Sequence, residues 1–154
     1  TPTPVPENTT GGPSIEFDFY SYSSDEATMI AKVIYREARG VQSQMKQAAV
    51  AWVILNRVDY GAGNIYDVCT APNQFAYRED TPTVDDFGRD LVALATDVLE
   101  RWVREHYGET DVGRVIPKSY RYFRAGEGGG NIFRNNYNPP YDIWDWSFAN
   151  PYGS

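Results

Sequence analysis

Residues 48–55 read Ala48-Ala49-Val50-Ala51-Trp52-Val53-Ile54-Leu55, an apolar run longer than two helical turns. A helix that is apolar on every side has to be buried on every side. The run therefore predicts a central helix, from about Gln44 to Val58, around which the rest of the chain packs. Working outward, a first helix is expected from Asp25 to Arg39. Ser23 or Ser24 can cap it, Asp25 and Glu26 suit its positive end, and Gly40 supplies a stop. A third helix is expected from Val84 to Tyr107, because Phe87, Leu91, Leu94, Ala95, Val98, Leu99 and Trp102 recur with a period near 3.6.

Between the second and third helices lies a long polar connection over 59–83, with a short helix near Ile65–Cys69. Beyond residue 115 the pattern changes. Ser119-Tyr120-Arg121-Tyr122-Phe123 and Asn131-Ile132-Phe133-Arg134 flank a glycine cluster over Gly126–Gly130, which predicts a β-hairpin. The Trp/Tyr/Pro-rich tail has no clear period. The expected class is α+β, helix-rich, with a C-terminal β-hairpin.

Residues 1–14 are rich in Pro, Thr and Gly and nearly free of large apolar groups, so they read as a linker, leaving 15–154 as one domain. Ile15, Phe17 and Phe19 alternate with polar residues and predict a short extended lead-in. Pro/Thr/Gly-rich tracts commonly join the modules of exported bacterial proteins, which points to a secreted protein with other modules across the linker. The chain of 154 residues carries a net charge of −7. That charge argues against nucleic acid as a partner, since phosphates select Lys and Arg. No stretch approaches the roughly 20 apolar residues of a membrane span. Aromatic residues make up 15% of the chain, with 12 Tyr and 4 Trp, which suits either a core or a sugar-lined cleft.

Glu37 is the odd residue of the first helix. At 100° per residue it falls about 20° from Ile30 and between Val33 and Ile34, inside an apolar stripe. Burial and the negative end of the helix both favour the protonated acid there. Breaking a glycosidic bond needs such a group, because the leaving oxygen must receive a proton. The competing reading is a core ion pair with Arg36, Arg39 or Arg57. Arg57, at the end of the second helix, is placed to orient Glu37 or to hold a substrate carboxyl. Gln74, Phe75 and Tyr77 lie on the long loop, where binding residues concentrate. Tyr120 and Tyr122 share one face of the expected strand, which makes them candidates for the far wall of a cleft or for core.

Other chemistry is less well supported. His106 is the only histidine, so a His-based zinc site is not expected, and no metal or cofactor is required. His106 reads instead as a cap on the last turn of the third helix. Cys69 is the only cysteine and reads as a small core residue, against the alternative of a Cys69–His106 peptidase pair.

Tyr35-Arg36-Glu37-Ala38-Arg39-Gly40, then Gln47 through Val58 with its Leu55-Asn56-Arg57-Val58 ending, then Ile65-Tyr66-Asp67-Val68 and Pro72-Asn73-Gln74-Phe75, resemble the SleB/CwlJ cell-wall hydrolase family, which includes spore-cortex-lytic enzymes. The resemblance spans about residues 25–136. It implies a lysozyme-like domain in which Glu37 is catalytic. The implied partner is the peptidoglycan glycan strand, and the implied activity is lytic transglycosylation between N-acetylmuramic acid and N-acetylglucosamine, giving 1,6-anhydro ends. The family usually continues Gly-Glu where this chain has Gly40-Val41, so any helper role for that second acid is absent. Two other readings of function stand beside it. One is a muramidase or glucosaminidase that uses water and a second acid among Asp67, Glu79 and Asp80. The other is a non-catalytic peptidoglycan-binding module.

Overall fold

The computed structural model describes residues 21–38, 43–126 and 130–153. Its first helix, α1, spans Ser24–Glu37 and opens on a capping box in which Ser23 and Glu26 satisfy each other's backbone N–H. The second, α2, spans Gln44–Tyr60, and every residue from Gln47 to Asn56 is buried. It runs two residues past the expected end and is closed by Gly61, whose positive φ of 109° lets the chain leave the helix. A short α3 follows at Ile65–Thr70, with Asn64 and Asp67 forming a second capping box. The long α4 spans Asp86–His106, capped by Asp85. Gly88 in its first turn packs so tightly on Thr83 that a Cβ there would lie 2.4 Å from the Thr83 backbone.

Helices α1, α2 and α4 pack on one another, and α3 closes against α1 and α2. One continuous core runs from Ala27 to Phe133, with Trp52, Ile30, Ile34, Leu55 and Leu99 among its fully buried members. The strands β1, Tyr122–Ala125, and β2, Asn131–Arg134, form an antiparallel hairpin with Tyr122 opposite Arg134 and Phe123 opposite Phe133. The tail returns across this hairpin. Trp144 donates its backbone N–H to the Phe133 carbonyl (2.9 Å) and its indole N–H to the Val115 carbonyl (2.9 Å). Among the described residues the fold is thus helix-rich α+β, with four helices and one two-stranded hairpin. No described helix is long and apolar enough to cross a membrane.

Some expectations need correction, and others fall outside the described residues. Helix α1 ends at Glu37 rather than at Arg39. The expected stop at Gly40, the linker over 1–14, residues 15–20 of the lead-in over 15–22 and the tip residues 127–129 lie outside the described residues. The first strand begins at Tyr122 rather than at Ser119. Its displacement has a cause: the Tyr120 carbonyl accepts a hydrogen bond from Asn56 Nδ2 (2.9 Å), and its N–H turns back to Pro117 (3.1 Å). Both backbone groups of Tyr120 are then unavailable to a ladder.

The last turn of α4 is tied to α2 through His106. Its Nε2 lies 2.9 Å from the Asp59 carboxylate and its Nδ1 2.8 Å from the Trp102 carbonyl. Two acceptors at the two ring nitrogens favour the doubly protonated ring. Burial and Lys118 work against the charge, but Asp59 and the Trp102 carbonyl outweigh them and raise the His106 pKa. A raised folded pKa contributes stability that is complete below the unfolded value and is lost as pH rises through the folded value. Urea unfolding at about pH 5.5 and about pH 8.5 should show His106→Gln costing more at the lower pH. Equal costs at both would contradict this assignment.

Candidate active site

Glu37 is the last residue of α1, and it is half-buried, while its neighbours Val33 and Ile34 on the same stripe are fully buried. The expectation of a carboxylate deep in an apolar stripe therefore needs correction. Because the helix stops here, its final residue lies at the rim of the packed layer. Its Oε2 accepts a 2.6 Å hydrogen bond from the Ala76 backbone N–H, on the loop between α3 and α4. Its own carbonyl, one of those a helix end leaves without an intrahelical partner, accepts from Asn131 Nδ2 at 3.1 Å. Helix α1, the 71–85 loop and the hairpin thus meet at one residue. Among the described residues Glu37 makes no ion pair, and its Oε1 has no hydrogen-bond partner.

The loop is pinned to α1 along its length. Lys32 Nζ binds the Glu79 carbonyl (2.8 Å) and carboxylate (3.2 Å), and Arg36 Nε binds Thr81 Oγ1 (2.9 Å).

Arg57 joins the second wall. Its Nε donates to the Arg121 carbonyl (2.7 Å) and its Nη1 to Gln74 Oε1 (2.9 Å). Its guanidinium lies over Phe75 (4.5 Å to the ring centroid) and over Tyr122 (5.2 Å). Phe75 in turn meets Phe123 at 5.8 Å. Burial lowers the Arg57 pKa; the Tyr122 hydroxyl opposes this, Arg121 adds to it, and Glu37 opposes it. Glu37 and Arg57 are therefore close enough to feel each other's charge without a direct ion pair among the described residues.

Of the candidates named from the sequence, Glu37, Arg57, Gln74, Phe75 and Tyr122 come together here. Tyr77 sits farther along the loop, its hydroxyl donating to Glu79 (2.6 Å). Tyr120 does not reach the cluster. It is buried, with its ring against Trp144 at 5.4 Å, so it shares no exposed face with Tyr122. Two partners of Glu37 escaped the sequence reading: the Ala76 N–H, a backbone group that no side chain announces, and Asn131, whose role appears only once the hairpin is docked.

The other acids are engaged elsewhere. Asp67 completes the α3 capping box. The Tyr77 hydroxyl and then Lys32 lower the Glu79 pKa, and Arg78 lowers that of Asp80. Cys69 is fully buried, and burial pushes its thiol up to about 12, which leaves no thiolate for nucleophilic attack at neutral pH. Among the described residues no group of three His, Cys, Asp or Glu side chains converges as a metal site would.

The structural frame behind Arg57 also went unread in the sequence. Asn56 donates to the carbonyls of Pro117 (3.0 Å) and Tyr120 (2.9 Å), and its own oxygen accepts from Arg114 (3.0 Å). Arg114 pairs with both Glu105 oxygens (2.8 and 2.9 Å) and lies 4.2 Å over the Trp52 ring. Consecutive residues at the end of α2 thus anchor the segment that leads into β1. Set against known proteins, the chain matches no family model, no curated protein and no solved structure.

Proposed function

We propose that this chain cuts the glycan strand of peptidoglycan as a lytic transglycosylase, with Glu37 as acid and then base. The observation that carries the reading is the Glu37 carboxyl group. One oxygen is fixed by the Ala76 N–H and the other has no partner among the described residues. That arrangement orients the carboxyl group and leaves its second oxygen available to a substrate, with no salt bridge among the described residues. Phe75 and Tyr122 offer aromatic faces beside it for sugar rings, and Gln74 and Arg57 offer polar edges.

In this mechanism the Glu37 acid gives its proton to the glycosidic oxygen as the bond to muramic C1 breaks. The C6 hydroxyl of the same muramic residue then attacks C1, and the Glu37 carboxylate takes the hydroxyl proton. A 1,6-anhydro end forms and the acid is restored. One carboxylate suffices, in keeping with Asp67, Glu79 and Asp80 all being engaged elsewhere. The helix-rich α+β arrangement is compatible with a lysozyme-like domain, and the linker composition with a secreted, wall-associated protein joined to further modules. Purified peptidoglycan incubated with the protein should release soluble glycan fragments. Binding to the wall without release would instead favour a carbohydrate-binding module.

A further inference from the structure

A cavity of about 390 Å³ opens beside the Glu37 cluster, and its lining includes Arg57, Arg121, Tyr60, Gln74 and Tyr122. The chain has 21 acidic and 14 basic residues, yet this lining holds two arginines and no acid. The Arg121 guanidinium lies with its carbon over Tyr60, 3.8 Å from the ring centroid. Among the described residues it donates no side-chain hydrogen bond, and its Nε is buried without a partner. A buried N–H with no acceptor is costly, and because the Nε itself is buried, a group arriving through the cavity would meet the guanidinium at its terminal N–H groups. Arg57 stands near enough to Arg121 for the two like charges to oppose each other, and an anion between them would relieve that repulsion.

We propose that this cavity is a carboxylate subsite, in which the Arg121 fork, stacked on Tyr60 and supported by Arg57, takes an acidic group carried by the glycan strand. A planar fork of N–H donors matches a carboxylate in bidentate fashion, which a lysine ammonium does not. The proposal rests on the glycan-cutting reading for the source of the carboxylate. Two groups on a muramic residue carry that chemistry: the lactyl carboxylate when no peptide is attached, and the carboxylates of an attached stem peptide. Arg57 links the cavity to Gln74, two residues before the Ala76 N–H that holds Glu37, so an acid bound here would register the strand against the acid/base.

The test is calorimetric titration of the wild type, Arg121→Gln and Arg121→Lys with four probes. These are the GlcNAc–MurNAc disaccharide, its dipeptide derivative, the same derivative fully amidated, and a neutral chito-oligosaccharide. The wild type should bind at least one acidic probe about tenfold tighter than the amidated and neutral ones. Which acidic probe gains tells whether the lactyl or the peptide carboxylate is read. Arg121→Gln should erase the preference while leaving affinity for the neutral probe unchanged, and Arg121→Lys should keep only part of it. Equal wild-type affinity for acidic and amidated probes, or a preference that survives in Arg121→Gln, overturns the proposal. Release of soluble fragments by the wild type is measured alongside. Release without a carboxylate preference retires the subsite and leaves the glycan-cutting reading intact. An Arg121-dependent preference without release does the reverse.

Discussion

Glu37→Gln should reduce the rate of peptidoglycan solubilisation by a factor on the order of 10² to 10⁴ while the protein stays folded. The carboxamide keeps the size of the side chain and an oxygen that can accept from the Ala76 N–H, so the loop contact at 2.6 Å has a replacement. What is lost is the transferable proton. Because Glu37 is half-buried and free of ion pairs among the described residues, unfolding stability should change by no more than about 0.5 kcal/mol. The pairing of these two outcomes is diagnostic: a structural Glu would show the opposite pattern, with stability lost and rate retained. Release of soluble fragments from dye-labelled wall, read beside thermal unfolding, separates them. A folded Gln variant that digests at the wild-type rate would remove Glu37 from the mechanism.

Glu105→Ala should be the most destabilising of the substitutions considered, by about 3 kcal/mol, lowering the melting temperature by about 10 °C. The Arg114 and Glu105 side chains are only 10% and 17% exposed. Removing the carboxylate strands the guanidinium between Trp52, Asn56 and the Ile116 carbonyl with no counter-charge. The double variant Glu105→Leu/Arg114→Met removes both charges and should recover a large part of the loss, since an apolar pair avoids the desolvation cost. A loss below about 1 kcal/mol for Glu105→Ala would mean that water reaches the pair and screens it.

The helices were legible because their signals are local. Ser23, one of the two caps named from the sequence, closes the start of α1; Ser43, Asn64 and Asp85 cap the other helices but were not named, and α4 accordingly runs Asp86–His106 rather than the expected Val84–Tyr107. Burial of α2 followed from its all-round apolar surface, and the core position of Cys69 from its small apolar side chain. Glu37 was legible as an acid on an apolar stripe, but its degree of burial was not, because that depends on where α1 stops and on what crosses its end. The hairpin was legible as two aromatic runs around glycines. The start of its first strand was not, since Asn56 captures the Tyr120 carbonyl from 64 positions away. The Arg114–Glu105 pair and the Arg121 guanidinium over Tyr60 escaped for the same reason. Single charged residues carry no periodic signal, and only the packed chain decides which of them share a wall.

The most direct test of the account is mass spectrometry of fragments from purified peptidoglycan digested in ¹⁸O-labelled water. If Glu37 acts alone and the muramic C6 hydroxyl is the nucleophile, no solvent oxygen enters the sugar. Unlabelled anhydro-muramic ends, lighter by one water than the corresponding reducing ends, are the predicted result. Reducing ends carrying the heavy oxygen would contradict it, because water would then be the nucleophile and a second carboxylate, among Asp67, Glu79 and Asp80, would have to leave its present partners to activate it.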